Sequence, residues 1–434
     1  MHLKILSIAG PMVLANLATP LLGMVDTAIL GHLDSPVYLA AVAVGSQLIT
    51  LIFWAFGFLR MGTTGFAARS LGSENLEELA MVLKRSLFIA FAASSVVLLC
   101  QSISLRLLID LIVDTPEIRD LSLSYAQIRI WGAPAALSTY TLVGWLIGLQ
   151  RTRSAMIVLI GLNLANIILD YVFVVRLGWL ADGAAWASVI SEYLGVLLAG
   201  YFCIKTANAL SLNFSAKLKM TFSAFSEMLN SSRHLFVRTL CLLFCFLYFA
   251  AQGETLGTNV LAANAVLLNL LAFTAYTMDG FAYTSETLGG EAWGADDHKQ
   301  FVRVVRYTWI WVTALGALCT VILIMGKPWI LSLYTDLASV LTLANQYYLW
   351  LALLPLVAAH CYQLDGIFVG ANKTRSMQNA MLAASFLVFL PCWLLLRDLG
   401  NTGLWIAFWA FHIARSLFLL PQFWLMLRQR AQQI

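Results

Sequence analysis

Charge is scarce in this sequence. Of its 434 residues only 11% are Asp, Glu, Lys or Arg, while 61% are hydrophobic. Ordinary soluble domains carry about 25% charge and are about half apolar, so a soluble fold could not hide this much apolar surface. Disorder is excluded by the same figures, since disordered chains are poor in apolar residues and rich in charge. Cysteine is sparse and unpatterned: Cys100, Cys203, Cys241, Cys245, Cys319, Cys361 and Cys392 all lie in apolar runs. An odd number without regular spacing gives neither a disulfide framework nor a zinc site, and Cys241 with Cys245, one turn apart, reads as helix packing. The six histidines lack metal spacing, and a dispersed net charge of +4 gives no purchase on nucleic acid. There is no Walker A loop, nucleophile elbow or His-Glu-x-x-His, so no fused ATPase, hydrolase or metalloprotease is expected. A membrane enzyme is the weakest of the functional readings.

What is present is a succession of apolar stretches of about twenty residues, each long enough to cross a bilayer as a helix. Polar breaks fall at 31–36, 69–85, 106–120, 150–154, 176–182, 205–226, 253–259, 289–306, 326–339, 370–375 and 397–402. They divide the chain into twelve expected spans. The first could be mistaken for a signal peptide, but it lacks a small-residue cleavage site and carries Asp26. Lysine and arginine set the orientation. With the N-terminus inside, sixteen fall on inner segments, among them Arg69, Lys84, Arg85, Lys205, Lys217 and Lys219. Five, namely Arg106, Arg119, Arg176, Lys327 and Arg397, fall on outer ones. Both termini are therefore expected in the cytoplasm.

The long inner loop near the middle of the chain invites a search for two related halves. Leu39-Ala40-Ala41-Val42-Ala43-Val44 returns as Leu261-Ala262-Ala263-Asn264-Ala265-Val266, an offset of 222. Gly72 returns as Gly294, and Gly148, Thr152, Arg153 and Ser154 return as Gly370, Thr374, Arg375 and Ser376 at the same offset; Gly183 maps to Gly403 with a slip of two. Six spans per half is even, so both halves run in the same direction. The expected fold is all-α: two parallel six-helix lobes, residues 1–206 and 227–434, joined by a cytoplasmic linker at 207–226. Transporters of this plan place substrate between the lobes and rock to alternate access.

Ionisable groups inside spans are costly, which makes each a functional hypothesis. The halves do not share them: Asp26 maps onto Tyr248, Asp170 onto Cys392 and Asn166 onto Val388. Counted from the expected span ends, Asp26, Asp170 and Ser188 all lie about 8 Å below the outer surface. Asn166 is one turn deeper than Asp170 on the same face. Two carboxylates, an amide and a hydroxyl at one depth suit a proton or cation site; the alternative is an aspartate that only pins helices together. Pro11 and Pro20 permit a hinge in the first span. Asp279, Glu286 and Asp365 lie in the inner half of the second lobe, where they would close the cytoplasmic side or pair with an arginine such as Arg60 or Arg238. Glu192, Arg129 and Arg415 have no partner legible in the sequence. Met12, Met24, Met61 and Asn163 are the expected lining of an adaptable substrate cavity, although such residues in membrane proteins more often face lipid or core.

Pro11, the stretch Gly23-Met24-Val25-Asp26-Thr27-Ala28-Ile29-Leu30-Gly31-His32-Leu33 and the following Leu39-Ala40-Ala41-Val42-Ala43 resemble the multidrug and toxic compound extrusion (MATE) family. Asp279-Gly280-Phe281-Ala282-Tyr283 and Leu364-Asp365-Gly366-Ile367-Phe368-Val369-Gly370 look like its DinF branch. The resemblance covers nearly the whole chain. It implies a secondary antiporter of a bacterial inner membrane that expels cationic or amphipathic drugs, with no cofactor beyond the coupling ion, proton or sodium. It also implies a monomer, partnered only by its substrates and the bilayer. In this branch Asp26 matches the proposed protonation site, Asn166 and Asp170 the fifth-span pair, and Ser188 a sixth-span hydroxyl where threonine is usual. Tyr125 joins the network by depth, and the first span bends about Pro11. Proton-coupled drug export is the leading expectation. A sodium-driven antiporter is the second, and a lipid-linked precursor flippase of the wider superfamily the third. A major-facilitator transporter shares the six-plus-six plan, but Arg69-Ser70-Leu71-Gly72-Ser73-Glu74-Asn75 lacks that family's paired basic residues.

Overall fold

The computed structural model describes residues 1–31, 36–212, 222–334 and 337–431, with side chains described for all of these except 19, 21–31, 36, 222 and 429–431. Among the described residues there is no strand. The chain forms α1 (His2–Gly31), α2 (Val37–Gly72), α3 (Leu76–Ile112), α4 (Pro116–Gly148), α5 (Thr152–Arg176) and α6 (Leu180–Ala209). It continues with α7 (Ser223–Thr255), α8 (Thr258–Gly294), α9 (His298–Ser332), α10 (Ala338–Gly370), α11 (Thr374–Leu399) and α12 (Asn401–Arg428). α2 to α12 are each long and apolar enough to cross a membrane; α1 is helical over 30 residues and runs unbroken through Pro11 and Pro20.

Among the described residues the helices end and begin inside the expected polar breaks or within a residue or so of them, and the linkers are mostly shorter than those breaks. Arg106 and Asp110, for example, lie within α3 and Arg176 within α5. The reason is length: 37 residues of helix extend about 55 Å, against about 30 Å of hydrocarbon. Helices therefore continue into the headgroup region, where charged residues are solvated.

The repeat is written into the backbone. Non-glycine residues with positive φ occur at Glu74 and Gln150 and again, 222 positions on, at Asp296 and Asn372. Gly178 and Gly400 form a third such pair. The N-caps agree as well: the Asn75 side chain accepts from the Glu78 N–H, and Asp297 accepts from the Gln300 N–H. Close helix crossings also repeat. A Cβ on Gly144 would meet the Arg60 carbonyl oxygen at 2.6 Å, and one on Gly366 the Ala282 carbonyl oxygen at 2.5 Å. Gly148 faces the Thr64 oxygen at 2.8 Å as Gly370 faces the Glu286 oxygen at 2.7 Å. In both halves, then, the second helix packs backbone to backbone on the fourth, and glycine is the residue that lets them approach.

The chain divides into two compact units, Leu14–Glu227 and Met1–Val13 with Met228–Ile434, so the division falls inside α1. In the second unit Ile5, Ile8 and Ala9 of α1 pack with Met278, Phe281, Val304, Val312 and Ala359. Its larger core is aromatic. Phe249 meets Trp405 edge-on with ring centroids 5.3 Å apart, and Phe408 packs on both. In the first unit Trp145 of α4 is fully buried, its indole donating to the Leu79 carbonyl of α3 at 3.1 Å.

Candidate functional site

Three helices of the first unit each carry a pair of polar side chains one turn apart: Tyr125 and Arg129 on α4, Asn166 and Asp170 on α5, Ser188 and Glu192 on α6. The i, i+4 spacing stacks each pair on one helix face, and the three faces converge. Asn166 is buried and its amide donates to the Ser188 hydroxyl oxygen at 3.3 Å. Because that oxygen is already an acceptor, the Ser188 proton is left to point at another acceptor. Asp170, one turn along α5, is 2% exposed. A further turn on, Val174 packs with Tyr125, Val42, Ala181, Ala184 and Ala185 in a buried cluster of α2, α4, α5 and α6. α5 leaves the α-helical pattern directly after Asp170, where Tyr171–Arg176 winds as a π-helix, an irregularity often found at functional sites.

One turn below lie two charges that the sequence singled out but did not pair. Arg129 Nη2 donates to Glu192 Oε1 at 2.7 Å, and Tyr125 neighbours the same guanidinium. The cation also lies over the Phe53 ring, 5.5 Å from its centroid. Gly132 closes a 3₁₀ turn at Ile130–Gly132 just before the α-helix resumes at Ala133, and a Cβ there would collide with Glu192 Oε2 and sit 2.9 Å from Arg129 Nη1. Those same two atoms carry no hydrogen bond among the described residues. A buried polar atom without a partner costs free energy, so the pair holds reserve hydrogen-bonding capacity beside Gly132. Their i+4 spacing from Tyr125 and Ser188 is the sequence signal that links both residues to this layer.

The second unit has a different charged centre. Asp365 of α10 accepts from Arg238 of α7 and, at 2.8 Å, from Arg415 of α12. Arg238 is one of the two arginines expected to meet these carboxylates, and Arg415 thereby gains a partner the sequence did not supply. Asp365 thus accepts from two arginines, and Arg415 lies over the Tyr362 and Phe411 rings at 5.9 and 5.5 Å. Glu286 is buried on α8, and Asp279, half-buried on the same helix, neighbours Tyr276 and Tyr362. At positions equivalent to Asn166 and Asp170 this unit has Val388 and Cys392.

The remaining expected residues divide by what is described. The side chains of Asp26 and Met24 lie outside the described residues, although their backbone belongs to α1. Met12 is fully buried in the second unit, and Met61 and Asn163 are half-buried in the first. Asn163 is one turn before Asn166 on α5.

The model of the MatE family matches residues 11–172 and 235–394, one match in each half of the repeat. Among curated proteins, the chain is 38% identical over 413 residues to "DNA damage-inducible protein F" of Escherichia coli (strain K12), covering 94% of this chain and 89% of that protein. It is 26% identical to "Multidrug resistance protein MdtK" of Proteus mirabilis (strain HI4320), covering 98% and 96%. Among solved structures, one described as "Outward-facing conformation of a multidrug resistance MATE family transporter of the MOP superfamily" superposes with a TM-score of 0.89 at 16% identity, covering 99% of this chain and 96% of that one. Another, "Crystal structure of MATE in the bent conformation", gives 0.91 at 16% identity, with the same coverage. These two show a shared fold.

Proposed function

The chain belongs to the MatE family, and on that premise we propose that it is a multidrug efflux antiporter. It exports cationic or amphipathic compounds in exchange for protons by alternating access, in a bacterial inner membrane, as a monomer with both termini cytoplasmic. The observation that carries this reading is the polar layer of the first unit. Asp170 is buried beside an Asn166–Ser188 hydrogen bond, and the repeat holds no counterpart. A residue needed only to hold the lobe together would be expected in both copies.

The chemistry follows from burial. An ionised carboxylate inside the membrane is expensive unless it is paired or hydrogen-bonded, so binding a proton or a cationic drug are two ways of neutralising the same charge. A site that accepts one at a time exchanges them. Ser188 can turn its proton toward a carboxylate, and Asn166 can follow by hydrogen-bonding. Asp26 shares their sequence-derived depth and is proposed as the second proton-binding carboxylate, with Pro11 and Pro20 as the places where α1 bends. The name of the Proteus mirabilis relative supports drug export, and solved relatives described as outward-facing and bent support alternating access.

A sodium-driven antiporter is the second reading, favoured by the oxygen donors of Asp170, Asn166 and Ser188, a set suited to a small hard cation. Transport of a fluorescent organic cation in everted vesicles tests both. An imposed pH gradient in sodium-free buffer drives uptake in the proton reading, and Asp26→Asn and Asp170→Asn each abolish it. Uptake only when sodium is added moves the assignment to sodium. Full transport by well-expressed Asp26→Asn and Asp170→Asn proteins overturns the site.

A further inference from the structure

A pocket of about 520 Å³ opens in the second unit between α7 and α11, lined by Asn230, Arg233, His234, Arg375, Gln378 and Asn379. Its lining holds two guanidiniums, an imidazole and three amides, and no carboxylate. His234 Nδ1 lies 3.2 Å from the Thr374 hydroxyl and Ser231 donates to the Asn372 amide oxygen at 2.8 Å, so the two walls are tied together next to the pocket. Holding Arg233 and Arg375 around one space sets like charges against each other, an arrangement that an anion relieves.

Three observations point to the same ligand. The first is the repeat. The equivalent positions in the first half are Ile8, Pro11, Met12, Arg153, Met156 and Ile157, so the second half has exchanged an almost wholly apolar set for a polar, basic one. The second is the level of the pocket along its helices. Eight of the twelve residues from Ser223 to His234 of α7 are polar, and from Leu235 the helix is mainly apolar apart from Arg238 and Thr239; α11 carries Thr374, Arg375, Ser376, Gln378 and Asn379 before its mainly apolar run from Ala380. The pocket sits where both helices pass from polar to apolar sequence, the level of lipid headgroups. The third is the surface beyond it. Leu240 and Leu247, seven and fourteen residues after Arg233 on the same face of α7, are both exposed, at 43% and 53%. Basic groups at headgroup depth above an exposed apolar stripe match both ends of a phospholipid.

We propose that this pocket binds a phosphate group, supplied by the headgroup of an acidic phospholipid of the leaflet that the 6–7 and 10–11 linkers face. The two guanidiniums grip the phosphate oxygens, the amides and His234 complete the donor set, and an acyl chain lies along Leu240 and Leu247. The proposal does not depend on what the protein transports.

Native mass spectrometry of the full-length protein in detergent tests it, with phosphatidylglycerol, phosphatidylcholine and inorganic phosphate added separately. Wild-type protein is expected to retain phosphatidylglycerol in preference to phosphatidylcholine. Arg233→Gln and Arg375→Gln, both at exposed positions, are each expected to weaken that binding about tenfold, and the double variant to abolish the preference. Inorganic phosphate displacing phosphatidylglycerol, or binding with the same dependence on Arg233 and Arg375, also supports the phosphate site and assigns it to a soluble ion. Equal retention of the two lipids, or phosphatidylglycerol binding unchanged in a double variant that elutes as folded protein, overturns the proposal.

Discussion

Arg129 and Glu192 show how much a single buried side chain depends on its partner. Their 2.7 Å contact lies within α4 and α6, with 16% and 9% of the side chains exposed. Removing one member of such a pair strands the other charge and costs about 3–5 kcal/mol, whereas replacing both with apolar groups is often nearly neutral. Glu192→Gln is therefore expected to lower the melting temperature of the detergent-purified protein sharply, and Glu192→Gln combined with Arg129→Met to recover most of the loss. A double variant as unstable as the single would show that the pair is not the unit of stability. Asp365 answers to two arginines, so the same logic predicts a fall at least as large for Asp365→Ala, measured in the same way. At the transport site the expected signature differs. Asn166→Ala and Ser188→Ala should keep the fold and reduce pH-gradient-driven efflux, because they remove hydrogen bonds at the edge of Asp170 and leave no charge unpaired.

At the scale of the helix, the repeat is a set of crossings before it is a set of residues. Gly144 on Arg60 and Gly366 on Ala282 are the same contact made twice, at 2.6 and 2.5 Å between the notional Cβ and a carbonyl oxygen. A valine at either site must push two backbones apart, an overpacking cost of about 1–3 kcal/mol. Gly144→Val and Gly366→Val are expected to destabilise by similar amounts in thermal melts; a large effect at only one would break the equivalence of the crossings. The π-helical segments show where the halves part. α5 and α11 each contain one, at Tyr171–Arg176 and Ala384–Phe389, at non-equivalent places. Each is six residues long, and the 222 offset still holds beyond them at Gly178 and Gly400. In α5 the segment follows Asp170. In α11 it includes Ser385, whose hydroxyl accepts from Cys245 at 3.3 Å in an otherwise apolar core.

For the molecule as a whole, the uneven distribution of lysine and arginine predicts its orientation. Fusions that report on cellular side are expected to place both termini in the cytoplasm: a fluorescent protein at the C-terminus should mature and fluoresce, and alkaline phosphatase there should stay inactive. An active phosphatase would reverse the orientation. The helical architecture was legible in the sequence alone, because apolar run length, polar breaks and a fixed offset are one-dimensional properties. So was the alignment of Asn166 with Ser188, because helical spacing and depth can be counted along a chain. Arg129 with Glu192, and Arg415 with Asp365, were not. Their partners are separated by 63 and 50 residues, and nothing local says which helix lies beside which.

The scarcity of charge by itself determined that this is a membrane protein, and the 222-residue offset determined that its helices come as two like sets. Those conclusions need only the cost of burying polar groups in hydrocarbon and the length of a helix that spans it. Tertiary structure decided which buried charges meet: Arg129 with Glu192 in one unit, Asp365 with two arginines in the other. It also gathered Arg233, His234 and Arg375 around one pocket. An ion pair depends on distance in space, and in a bundle of long helices that distance is set by which helices are neighbours and how each is rotated about its axis. Neither is written in the composition of any one span.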